Sequence, residues 1–220
     1  MTMKKAALIA ISLLCFVNFA WAEIDVKELI KKAESGNTEA QIKLGYMYLD
    51  GQGVPKNYAE AMKWAKRAAE KGVAKAQHML GGIYSIGGPG VPINYVEAMK
   101  WYKKAADQGD TEAQIQVALM YYDGKGVSIN KLEAMKWYRK AAEQGNSFAQ
   151  FYLGRIYKEG QIVSQNYIKA YAWFNIAMAS GFDMSRENLD ELSHIMTVEQ
   201  IAQAQKEAAE LWEKINKSKK

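Results

Sequence analysis

The pentapeptide Glu-Ala-Met-Lys-Trp occurs three times, at Glu60–Trp64, Glu97–Trp101 and Glu133–Trp137. It belongs to a longer periodicity. Ala-Gln pairs recur at Ala40-Gln41, Ala76-Gln77, Ala113-Gln114 and Ala149-Gln150, in steps of 36 or 37 residues. Trp64, Trp101, Trp137 and Trp173 keep the same spacing, as do Gly36, Gly72, Gly109, Gly145 and Gly181. A reactive motif is used once, whereas a motif copied at a fixed period of this size points to stacked supersecondary units. The single extra residue falls in Gly-Gly-Pro-Gly-Val-Pro (Gly87–Pro92), a loop where an insertion is tolerated.

Each unit reads as two helices. The first opens on a hydroxyl residue with glutamine three positions later (Thr38/Gln41, Thr111/Gln114, Ser147/Gln150), the spacing of a capping box. It closes at Asp50-Gly51 or Asp123-Gly124, where glycine accepts the left-handed turn that ends a helix. The second helix spans roughly Tyr58 to Glu70 and closes at Gly72. Its apolar residues Ala61, Met62, Ala65, Ala68 and Ala69 share one helical face. In this reading Ala61 lets neighbouring helices approach while Met62 and the tryptophans fill the space between them, and Glu60 and Lys63 remain in water. No stretch alternates like a strand. The expected fold is an all-α solenoid of antiparallel helix pairs, four repeats over 37–181. A capping helix is expected in 23–36, with Asp25 as N-cap. Closing helices Ser185–Ile195 and Val198–Lys214 are expected in 182–220, the second opened by a box at Thr197 and Gln200.

Residues 1–22 stand apart. Lys4 and Lys5, an apolar run from Ala6 to Phe19, and Ala20-Trp21-Ala22 before Glu23 have the form of a cleavable export signal, too short for a comfortable membrane span. A periplasmic or secreted protein without stable membrane insertion is the expectation. Cys15, the one cysteine, lies in this signal, so the mature chain has no disulfide and no thiolate nucleophile or metal ligand. Removing the signal takes away two lysines and no acid, lowering the formal charge from +5 to +3. No concentrated basic face remains for nucleic acid.

The repeat sequences, notably Glu-Ala-Met-Lys-Trp-Tyr-Arg-Lys-Ala-Ala-Glu-Gln-Gly-Asn (133–146) and the stretch 40–58, resemble the Sel-one-like repeat (SLR) family, relatives of the tetratricopeptide repeats. The resemblance covers roughly Ala33 to Gly181 and extends to a divergent last repeat and capping helix. It implies a right-handed superhelix acting as an adaptor that holds a protein or peptide in its concave groove, with no catalytic residue, cofactor or metal. One exported, disulfide-rich branch is linked to binding penicillin-like compounds, and lack of mature cysteines separates this chain from it. A β-lactamase-like or penicillin-binding enzyme and a structural cell-envelope component are the alternatives. In related helical repeats the first helix of each unit lines the concave side. By that resemblance the partner-binding candidates are Ile42, Tyr46 and Leu49; His78; Ile115, Leu119 and Tyr122; and Phe148, Phe151 and Arg155.

The search for chemistry yields little. His78 and His194 are far apart in sequence and lack carboxylates at ligand spacing. Ser128-Ile129-Asn130-Lys131 matches Ser-x-x-Lys, but neither Ser-Asp-Asn nor Lys-Thr-Gly accompanies it, and it falls in an inter-helix loop. The glycine loops carry too few acids for calcium and no following Lys-Ser/Thr for phosphate.

Overall fold

The computed structural model describes residues 26–218; the expected export signal (1–22) and the expected N-cap Asp25 lie outside them. Every regular element among the described residues is a helix, and the chain is an all-α helical-repeat solenoid. The described residues divide into two compact units, 26–94 and 95–218, with the boundary inside the second repeat.

In the first unit, α1 (26–34) precedes α2 (Thr38–Asp50), α3 (Tyr58–Glu70) and α4 (Ala74–Ile86). Leu44 and Trp64 meet Ala33 and Ala40 in a core flanked by Leu29, Ile30, Met47 and Tyr48. The second unit holds α5 (Tyr95–Asp107), α6 (Thr111–Asp123), α7 (Lys131–Glu143), α8 (Ser147–Glu159) and α9 (Tyr167–Ala179), followed by α10 (Ser185–Ile195) and α11 (Val198–Ser218). Successive helices from α5 to α9 pack pairwise, and α10 and α11 both lie against α9. Tyr138 and Phe174 are the largest wholly buried side chains. Small residues such as Ala61, Ala98, Ala134 and Ala170 are fully buried, consistent with close helix approach.

The first-helix caps sit one residue earlier than the Thr/Ser-x-x-Gln spacing suggests. Thr38, Thr111 and Ser147 are the first helical residues, and the caps are Asn37, Asp110 and Asn146. Their side-chain oxygens accept from the amides of Ala40 (2.8 Å), Ala113 (2.7 Å) and Ala149 (3.0 Å). The glutamines turn inward instead of back to the cap. Gln41, Gln77, Gln114 and Gln150 are buried, and each Nε2 donates to the carbonyl eight residues earlier: Ala33 (2.9 Å), Ala69 (3.3 Å), Ala106 (3.2 Å) and Ala142 (3.2 Å). Those carbonyls end the preceding helix, where acceptors lack intrahelical partners. Each also receives a glycine amide, from Gly36, Gly72, Gly109 and Gly145. The box at Thr197 and Gln200 forms as read, with reciprocal bonds of 3.0 and 3.3 Å.

A second repeated device closes each hairpin. The backbone amides of Asn57, Asn94, Asn130 and Asn166 donate to the carbonyls of Tyr48, Tyr84, Tyr121 and Tyr157 at 2.8–2.9 Å. Of these, Asn57, Asn130 and Asn166 also cap the following helix through their side chains. At the end of α2, Gly51 adopts φ +75°, closing the helix in the left-handed region.

The tryptophans are not equivalent. Trp64, Trp137 and Trp173 are buried, but Trp101 is only partly so; within α5, Tyr102 is the buried aromatic. Cations lie over the indoles: Arg67 4.8 Å from Trp64, Lys104 4.1 Å from Trp101 and Lys140 3.8 Å from Trp137. The lysine in each Glu-Ala-Met-Lys-Trp pairs with its glutamate at 3.0, 2.6 and 2.9 Å. Such exposed pairs add at most a few tenths of a kcal/mol each.

Candidate partner-binding surface

The first helix of each repeat carries a stripe whose residues differ from copy to copy. On α2, Tyr46 is 39% exposed while Ile42 and Leu49 are half-buried. On α4 the equivalent positions hold His78, Gly82 and Ser85, all half-buried. On α6, Leu119 and Tyr122 keep partial exposure, but Ile115 is buried. On α8, Phe148 and Arg155 are partly exposed and Phe151 is buried.

Within the first unit, Tyr46, Leu49 and His78 converge on one cleft of about 190 Å³, completed by Tyr58, Met79, Gly82, Ile83 and Ile86. Ile42 does not line it. Sequence reasoning missed Tyr58, Met79, Ile83 and Ile86. The signal for Ile86 was present: it stands where the other repeats place Asp50, Asp123 and Glu159, and it is 72% exposed. Gly88 shapes the wall behind Tyr58, for a Cβ there would lie 2.5–2.6 Å from the ring. The Nζ of Lys56 lies 5.1 Å from the Tyr58 ring centroid and that of Lys75 lies 5.8 Å from Tyr46.

In the second unit the stripe splits. Phe148 and Phe151 enter an aromatic cluster: Phe148 lies 4.5 Å from Tyr152, and Phe151 lies 4.9 Å from Phe182 and 5.5 Å from Phe174. Tyr122 and Arg155 flank a narrow crevice of about 10 Å³ with Tyr152 and Glu159, barely room for one water. Glu159 grips Arg155 at 2.8 and 3.1 Å, and that hydrogen bond raises the guanidinium pKa further. Leu119 and Ile115 line neither cleft.

The residues considered for chemistry stay apart. Ser128 is exposed in the loop before α7, and the Lys131 ammonium lies 5.2 Å from the Tyr122 ring centroid. His194 Nδ1 lies 2.7 Å from the Asp190 carbonyl of its own helix. Among the described residues no cluster of three His, Cys, Asp or Glu side chains could hold a metal ion. None of the described helices is long and apolar enough to cross a membrane.

The Sel1 repeat profile matches four consecutive segments, 38–73, 74–110, 111–146 and 147–182. The chain belongs to the Sel1-repeat family. Sel1 repeats form a helical scaffold for protein–protein interaction, generally without enzymatic activity. The crystal structure of a Sel1 repeat protein from Oxalobacter formigenes is 30% identical, with 90% of this chain and 80% of that one covered at a TM-score of 0.71. A protective antigen of uropathogenic Escherichia coli with an SLR fold is 29% identical, covering 86% of this chain and 50% of the other, with a TM-score of 0.53. The secretory immunoglobulin A-binding protein EsiB of Escherichia coli O6:H1 is 41% identical over 49 residues, 22% of this chain and 10% of that protein. This Sel1-repeat chain therefore spans half of one relative and a tenth of another.

Proposed function

We propose that this Sel1-repeat protein is an exported, non-enzymatic adaptor that holds a protein or peptide partner on its first-helix stripes. One observation carries the reading: framework positions repeat while stripe positions vary. The buried glutamines and the alanines beside them are the same in all four copies, whereas Tyr46, Gly82, Leu119 and Arg155 replace one another at one partly exposed stripe position. Repetition serves stacking, and variation on an accessible face serves recognition of a particular partner. The export half of the proposal rests on the charged start, apolar run and Ala-Trp-Ala site of residues 1–22.

The test uses the full chain expressed with its N-terminus intact. N-terminal sequencing should find Glu23 at the start of the mature protein. A photo-crosslinking amino acid in place of Tyr46 or Tyr122 should capture a discrete partner in the exported compartment. The same group at exposed Lys66 on α3 should not capture it. Equal capture from both kinds of position refutes the stripe as the binding face, and a mature chain that retains Met1 refutes export.

A further inference from the structure

The first-unit cleft has properties that narrow the partner, given the adaptor reading on which this step rests. Its volume of about 190 Å³ falls below the 300–1,000 Å³ of typical small-molecule sites and suits a side chain better than a whole ligand. Apart from His78 and the tyrosine hydroxyls its walls are apolar or glycine, and no carboxylate lines it. The rim position that carries an acid in every other repeat is occupied by Ile86. Lys56 and Lys75 lie within 6 Å of the ring centroids of two lining tyrosines, placing positive charge beside the cleft. Residues 26–94 carry ten Lys and Arg against six Asp and Glu. Three pairs, Glu28 with Lys32, Glu60 with Lys63 and Glu70 with Lys66, neutralise one charge of each sign apiece, leaving seven bases against three acids. An apolar socket in a positively charged surround is complementary to an apolar residue flanked by carboxylates.

We propose that the cleft between α2 and α4 seats one unbranched or leucine-like aliphatic side chain of an acidic peptide segment, with Lys56 and Lys75 facing the flanking carboxylates. The side chain would enter over Gly82, a lining residue without a side chain of its own, and contact Met79, Ile83 and Ile86. The lysines would contribute mainly to capture rate and to choice of partner, and their effect should weaken as salt rises.

A phage-displayed random-peptide library panned against the full chain is the test, with selected peptides synthesised and titrated by fluorescence anisotropy. The expected winners carry a single Leu or Met between Asp and Glu residues. Gly82→Leu, which fills the socket with the protein's own side chain, should weaken their binding on the order of thirtyfold. Ile86→Asp restores the acid of the other repeats at an exposed position, leaves the core untouched and should weaken them comparably by repulsion. Both outcomes together support the assignment. Winners that are basic or lack an aliphatic residue, or that bind both variants as well as the parent, overturn it while leaving the adaptor reading standing. A library that yields no binder overturns both.

Discussion

Gln150 is a fully buried amide whose Nε2 reaches the Ala142 carbonyl at 3.2 Å, while its Oε1 is buried without a hydrogen-bond partner in the protein. Replacing it by leucine removes one hydrogen bond, typically 0.5–1.5 kcal/mol net. The Ala142 carbonyl is not orphaned by this change, because the Gly145 amide still donates to it at 2.9 Å. Leucine also removes the unpartnered oxygen, whose desolvation opposes folding by about 1–3 kcal/mol. The two effects offset each other, so Gln150→Leu should lie within about 1 kcal/mol of the parent. Gln150→Ala loses the same bond but also opens a cavity, and should cost roughly 2–4 kcal/mol. For a chain of this length that is a melting-temperature drop of about 4–16 °C against about 4 °C or less for leucine. Guanidinium and thermal unfolding, followed by helical circular dichroism on both variants, measure the difference. A loss of more than about 2 kcal/mol for leucine, matching alanine, would show that the bond rather than side-chain volume holds this seam.

Three other outcomes follow from the same packing. Trp137→Ala should cost about 3–5 kcal/mol and Trp101→Ala roughly half that, because only Trp137 is fully enclosed; equal losses in denaturant unfolding would refute the distinction. The Tyr138 hydroxyl is buried without a partner, so Tyr138→Phe should be neutral or stabilising by up to about 1 kcal/mol near pH 7. Burial pushes this phenol far above its ordinary value, so it ionises more readily in the unfolded chain. Below about pH 10 the phenol is neutral in both states and adds no pH dependence; above it, ionisation in the unfolded chain lowers the parent's stability, so Tyr138→Phe should resist unfolding at pH 11 better than the parent. Gly88→Ala should lose about 1–3 kcal/mol through its clash with the Tyr58 ring, read as a lowered denaturation midpoint.

What the sequence disclosed and what it withheld divide along physical lines. Helix pairs, their ends at Gly51 and Gly124, and the bounds of α10 were legible because they depend on local periodicity and backbone conformation. The first-helix caps were misplaced by one residue because Asn37 and Thr38 are both competent caps. Gln41 at box spacing favoured the threonine, while its burial under Ala33 shows the amide was committed elsewhere. The burial of Trp101 could not be inherited from its copies, since a conserved position does not fix what its neighbours cover. The same holds for the stripe: Ile42 and Ile115 are equivalent in sequence, yet one is half-buried and the other enclosed. Tyr58 joined the cleft from a different helix, and only the chain path reveals that.

The buried glutamines have a bearing on how such a chain can change over generations. Each reaches back to a main-chain carbonyl, an acceptor that every residue type supplies. The joint between one helix pair and the previous one therefore demands no matched partner side chain. A tandem duplication or deletion of 36 residues would leave a glutamine facing the end of another alanine-rich helix, with its bond intact. Copy number is thus free to drift without a simultaneous compensating mutation, while residues such as Tyr46 and His78 diversify independently within each copy.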